Sequence, residues 1–148
     1  MIRRATHHAR ILPRAFTLVE ILIVVVILGI LAALVVPSFA EATDAARETT
    51  TVDQLGKVRR ALAVYRVTHN ELPSVTAGDG TWGELLSGGY LREAPINPWV
   101  SGPNRRVILL RETPDTSYQT THGWIFDAAG GEAWAGGFDG ADEPLPRP

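Results

Sequence analysis

From Ile21 to Ala40 the chain runs 20 residues without Asp, Glu, Lys or Arg, about the length a helix needs to cross the hydrocarbon core of a bilayer. Beyond that stretch the apolar positions thin out and become periodic. Val52, Leu55, Val58, Leu62 and Tyr65 recur at steps of three, three, four and three. That is an amphipathic helical stripe, with Asp53, Lys57, Arg59, Arg60 and Arg66 mostly turned away from it. The intervening Glu41 to Glu48 holds good helix formers and neither Pro nor Gly. The pattern therefore predicts one helix from Phe16 to about His69, roughly 80 Å long at 1.5 Å per residue. Asn70 and Leu72-Pro73 end it, because a residue before proline is pushed away from helical angles.

The remainder is punctuated by turn residues. Residues 73–104 are rich in Pro, Gly, Ser, Thr and Asn, with one short helix predicted at Thr81 to Leu86. Arg106 to Arg111 reads as a strand. His122 to Asp127 and Glu132 to Ala135 bracket Ala128-Ala129-Gly130-Gly131, a hairpin signal. Strict alternation puts Trp124 and Phe126 on one face, where a core role is the natural assignment. The closing run Pro144 to Pro148 reads as disordered. The predicted fold class is α+β: a long amino-terminal helix, half membrane-type and half amphipathic, packed on a small antiparallel sheet.

Two features of the apolar half bear on what it does. Glu20 places a carboxylate at the mouth of a segment where a charge costs about 2.5–3.5 kcal/mol at the helix centre and less near the interface. The bland reading is an acid that reaches back to the headgroups. Gly29 and Pro37 are helix breakers inside the run, although membrane helices tolerate both. Arg3, Arg4, Arg10 and Arg14 all precede the helix, and positive residues stay on the cytoplasmic side. That orientation puts the amino terminus inside and the rest outside. A Sec signal peptide has a shorter apolar region followed by its cut, whereas here the plausible cut lies before the run.

The order basic leader, small residue, then Phe16-Thr17-Leu18-Val19-Glu20 opening an apolar helix resembles the amino-terminal signal of type IV pilins and type II secretion pseudopilins. The resemblance covers residues 14 to about 40. It implies that a prepilin peptidase cuts between Ala15 and Phe16 and methylates the new amino terminus. Glu20 would then pair with that amine on a neighbouring subunit and set the filament register. Ala15 departs from the Gly usual at this place and is its smallest replacement. In the family the stretch between a Gly and a Pro matching Gly29 and Pro37 can stretch or melt as the subunit leaves the bilayer. Gly89-Tyr90-Leu91 followed by Ala94-Pro95-Ile96-Asn97-Pro98-Trp99 resembles the phrase leading into the sheet of major pseudopilins, with Asn97 standing where Asp is frequent. The implied organisation is a cleaved leader at 1–15, a transmembrane and filament-core helix at 16–39, its amphipathic continuation at 40–70 and a loop-rich sheet domain at 71–148.

Charge and composition narrow the function classes. The chain has 14 basic and 16 acidic residues; the leader removes four Arg and no acid, leaving 10 against 16, or −6. An acidic ectodomain argues against direct nucleic-acid binding, which needs basic patches. The absence of Cys excludes disulfides and thiolate zinc sites. His69 and His122 lie in no spacing that fits a metal pair or a nucleophile–base pair, and no catalytic set is evident. Asp139, Asp142 and Glu143 offer hard oxygens of the type calcium takes, and major pseudopilins hold calcium in a loop near the carboxy terminus. The run lacks regular ligand spacing, so a solvated acidic tail is the plainer reading and no cofactor is expected.

Two classes of function remain. One is a structural filament subunit without enzymatic activity: a pseudopilin supporting type II secretion, or a type IV pilin serving adhesion, motility or DNA uptake. The other is a membrane-tethered binding or enzymatic domain whose amino terminus only anchors it. The resemblance favours the first, and the lack of Cys with the Gly89–Trp99 phrase leans toward pseudopilin. Implied partners are identical subunits, prepilin peptidase, minor pseudopilins and an inner-membrane platform with its ATPase. The implied location is the inner membrane, single-pass, with extraction into an external filament.

Overall fold

The computed structural model describes residues 16–147. The leader, including Ala15, lies outside the described residues. A single helix, α1, runs Leu18–His69, close to the span predicted from apolar periodicity. It ends as expected: Asn70 adopts φ 58°, and its N–H returns to the Arg66 carbonyl at 2.8 Å, a left-handed cap that satisfies an orphan carbonyl. The chain divides into two compact units that part between Phe39 and Ala40.

The first unit, as far as Phe39, is helical from Leu18 and exposed along its whole described length. Phe16 is 74 % exposed and Leu18 82 %. This stretch is long and apolar enough to cross a membrane, and none of it is buried. Pro37 sits within α1, and the helix is unbroken at both Gly29 and Pro37.

The second unit carries the core. The buried stripe of α1 is Thr51, Leu55, Val58, Ala61, Leu62 and Tyr65, which corrects the predicted one at its first position. Val52 remains 39 % exposed, whereas Thr51 is fully buried. Thr51 lies one helical turn before Leu55 on the same face, and its hydroxyl is 3.1 Å from Asn97 Oδ1, so a hydrogen bond offsets the burial of its polar group. A short helix, α2, spans Glu84–Ser87, beginning later than predicted. Buried Trp82 precedes it and packs edge-on against Trp124 and Phe126 with ring centroids 6.4 and 5.8 Å apart.

The sheet is three-stranded, with β1 at Ile108–Leu110, β2 at Trp124–Phe126 and β3 at Ala133–Ala135 in the order β1-β2-β3. Arg106 belongs to a 3-10 turn at Pro103–Arg106 rather than to β1. β2 and β3 form the predicted antiparallel hairpin, with Phe126 opposite Ala133. β1 pairs with β2 in parallel, Ile108 opposite Trp124, so the sheet is mixed rather than antiparallel. A parallel pair needs a crossover of about a dozen residues, and residues 111–123 supply it. Trp124 and Phe126 join the helix-facing core, as alternation predicts. Ile125 and its partner Trp134 are buried too.

Candidate functional site

At the amino-terminal end, Thr17 precedes the first helical residue and its Oγ1 accepts the N–H of Glu20 at 3.2 Å. A Thr at the cap with Glu three residues on is the spacing of a capping box. It also puts the Glu20 carboxylate in the first turn, where the helix dipole favours negative charge. Among the described residues the Glu20 carboxylate has no side-chain partner. Gly29 opens a smooth site: a Cβ added there would meet nothing within 4 Å. The first helical half is thus a bare apolar rod with one acid at its head.

In the second unit the phrase Pro95 to Trp99 forms a knot of polar contacts. The Pro95 carbonyl accepts the indole N–H of Trp124 at 3.2 Å. Asn97 is fully buried. Its Nδ2 donates to the Gly123 and Gly136 carbonyls at 2.8 and 2.9 Å, and its Oδ1 accepts the Trp99 N–H at 2.8 Å. One side chain therefore joins helix α1, the start of β2, the end of β3 and the loop before the sheet.

A second knot holds the crossover. Asp115, 5 % exposed, accepts from Arg111 at 2.6 Å, from Gln119 at 2.9 Å and from the Gly137 N–H at 2.8 Å. His122 Nε2 lies 3.2 Å from Asp115 Oδ2, within ion-pair reach but off hydrogen-bond alignment. Burial opposes the charge, but His122, the Gly137 N–H and Arg111 outweigh it and hold the Asp115 carboxyl well below the usual carboxylate range. Thr121 Oγ1 is 3.0 Å from His122 Nδ1, so Thr121, His122 and Asp115 lie in the order of a hydrolytic triad. The same hydroxyl is 3.0 Å from Gln119 Oε1 and Asp115 is saturated with donors, which makes the row a brace for the loop. His69 stacks on Tyr65 with centroids 4.2 Å apart. Tyr65 donates to Glu84 at 2.8 Å, which pushes its hydroxyl up to about 12.

The carboxy-terminal run, expected to be a disordered tail, makes contacts with the rest of the second unit as far as Arg147. The Leu145 N–H donates to the Gly137 carbonyl at 2.8 Å and the Asp139 N–H to the Glu143 carbonyl at 3.0 Å. Arg147 pairs with Asp44 at 3.0 Å, and its guanidinium lies 3.8 Å from the centroid of Trp99. The proposed calcium ligands fit the ion poorly. Both Asp142 oxygens face the Arg59 guanidinium, and Asp139 Oδ1 accepts the Ala141 and Glu143 N–H groups at 2.8 and 3.0 Å. Among the described residues no three His, Asp or Glu side chains converge as metal ligands. Sequence reasoning missed Thr51, Arg59, Asp115 and Arg147; only the Asn97-Pro98-Trp99 phrase carried a local signal.

Comparison with known proteins agrees with the amino-terminal geometry. Residues 13–36 match the prokaryotic N-terminal methylation motif. The chain is 37 % identical over 94 residues to the type II secretion system core protein G of Pseudomonas aeruginosa, covering 57 % of this chain and 66 % of that protein. It is 35 % identical over 98 residues to the protein of the same name from Klebsiella pneumoniae, covering 60 % and 70 %, and 30 % identical over 96 residues to that of Escherichia coli K12, covering 58 % and 66 %. The chain thus spans about two thirds of the length of these curated relatives. No solved structure matches it. With a methylation motif at the head of an exposed apolar helix and this likeness beyond it, the chain belongs to the family of the type II secretion system core protein G.

Proposed function

We propose that this chain is the major structural subunit of a pseudopilus that supports protein export by a type II secretion system, and that it is not an enzyme. The observation that carries the reading is the apolar rod of residues 16–39, exposed on every side and headed by Glu20. Such a surface needs a bilayer before assembly and neighbouring subunits after it, because bare apolar area in water is strongly disfavoured. The subunit sits in the inner membrane with its amino terminus inside and its second unit outside, then moves into a filament of identical copies. Prepilin peptidase cuts between Ala15 and Phe16 and methylates Phe16. Glu20 neutralises the Phe16 amine of an adjacent subunit inside a water-poor core, where an unpaired charge is costly. A slip of one helical turn leaves both charges alone, so the pair fixes the register. Gly29 to Pro37 is the segment that yields when the helix leaves the bilayer, since Pro37 lacks one helical hydrogen bond. Minor pseudopilins, the membrane platform and its ATPase complete the assembly.

The test replaces Glu20 with Gln in a strain lacking the wild-type gene. Membrane insertion and cleavage should stay near normal while filaments and export fall steeply. Filaments as abundant as wild type would leave Glu20 an ordinary interfacial acid. A mature chain that starts anywhere but at methylated Phe16 would overturn the family's processing scheme here.

A further inference from the structure

The segment Gly137 to Arg147 contains the carboxylates that the family resemblance set against calcium, and its contacts point elsewhere. Calcium takes six to eight oxygens turned toward a common centre. Here the oxygens face donors that belong to the chain. Arg59 leaves α1 with its Nε on the Ala133 carbonyl at 3.0 Å, and its two terminal nitrogens grip the two oxygens of Asp142, NH2 to Oδ1 at 2.9 Å. A guanidinium fork matches a carboxylate bidentately and keeps its charge at every accessible pH. A divalent ion brought to Asp142 would sit against that guanidinium. Asp139 closes its own turn, and the carbonyls of Gly137 and Glu143 already accept N–H groups. Arg147, lying over Trp99 and paired with Asp44, fastens the other end of the segment to α1.

We propose that Arg59, seated between the Ala133 carbonyl and the Asp142 carboxylate, takes the place of a bridging cation, and that with Arg147 it clasps the carboxy-terminal segment to α1 so that the second unit folds without calcium. A cation built into the helix is present at fixed stoichiometry, so closure does not depend on the ion content of the surrounding compartment. The clasp concerns folding, and its readout is independent of secretion.

The experiment uses the full chain in detergent micelles and follows tryptophan fluorescence on heating. All four Trp lie in the second unit, so the signal reports that unit alone. A calcium site with a dissociation constant about a hundredfold below the added ion would raise the melting temperature by about 10–20 °C. The expected result is the same melting temperature in excess chelator and in about 1 mM calcium. Arg59→Met and Asp142→Asn should each lower it by about 4–8 °C in both conditions, and the double variant should lose no more than the worse single one, because the two residues share one interaction. A calcium-dependent rise in the wild type overturns the proposal wherever the ion binds, and this arm needs no variant to fold. An unchanged melting temperature for Arg59→Met, or losses that simply add, overturns it as well.

Discussion

Replacing Asn97 with Asp changes one atom and reverses the sign of two contacts. The amide Nδ2 donates to the Gly123 and Gly136 carbonyls at 2.8 and 2.9 Å, and the residue is fully buried. A carboxylate in that place has nothing to donate. Protonated, Asp keeps one O–H and can satisfy one of the two carbonyls, leaving the other unpaired at a cost of about 1–3 kcal/mol. Holding that proton at pH 7 against an ordinary carboxyl value of about 3.9 costs about 4 kcal/mol more. The sum, about 5–7 kcal/mol, is a ceiling, since any rearrangement that hydrates the carboxylate lowers it. It is a large share of the 5–15 kcal/mol by which a domain is usually stable. The folded pKa of the new acid is raised, so the penalty is smallest below about pH 4 and grows as pH rises toward that folded value. Tryptophan-monitored denaturation of the full chain in micelles between pH 4 and 8 measures it. A variant as stable as wild type at neutral pH, or a penalty flat across that range, would refute the amide-donor role. The outcome is informative because Asn97 stands where the phrase it resembles often has Asp.

Further outcomes can be measured on the same material. Leu62→Ala, at a residue only 3 % exposed, should cost about 2–5 kcal/mol, whereas Val52→Ala, half out of the core, should stay within about 0.5 kcal/mol. Asp115 has a depressed folded pKa, so its stabilisation is complete above about pH 4 and fades as pH falls through the folded value; the acid slope of stability should flatten in Asp115→Asn. Ala15→Leu should leave the leader attached while Ala15→Gly processes at least as well as wild type, as intact-mass measurement of the membrane fraction would reveal. A Leu62→Ala melt matching wild type, an unchanged acid slope, or a trimmed Ala15→Leu would each sink its premise.

The long helix was legible because its signal is repetition: 52 residues of helix announce themselves by what recurs, strongly enough to carry through Gly29 and Pro37. The error at Val52 and Thr51 shows the limit. Hydropathy selects the more apolar of two neighbours, but the face of the helix is set by what it meets, and Asn97 meets Thr51. The parallel pairing of β1 and β2 was hidden for a related reason. Adjacent strands suggest hairpins, and only a long return loop with its own polar anchor, here Asp115, allows the other pairing. Arg59 and Asp142 are 83 residues apart, and nothing local in either neighbourhood points to the other. At the amino terminus the opposite held. The Thr17 to Glu20 signal is contiguous, so the resemblance found it without any tertiary information.

The two halves of α1 are stabilised by different means, and that difference underlies the functional reading. Beyond Ala40 the helix is held by a buried stripe and by side chains such as Arg59 that leave it to grip the sheet. Before Phe39 it has no buried residue. Helices in water gain most of their stability from packing rather than from propensity, so the first half must be given its packing by something else. A bilayer can give it, but without direction, since lipid is equally apolar on all sides. In the proposed filament a neighbouring chain with a charge at a fixed height gives it a register. The Thr17 cap satisfies the Glu20 backbone and leaves the carboxylate without a side-chain partner among the described residues. On the proposed function the subunit is finished where it is folded and unfinished where it assembles, and Glu20 is the place at which that reading requires a second copy.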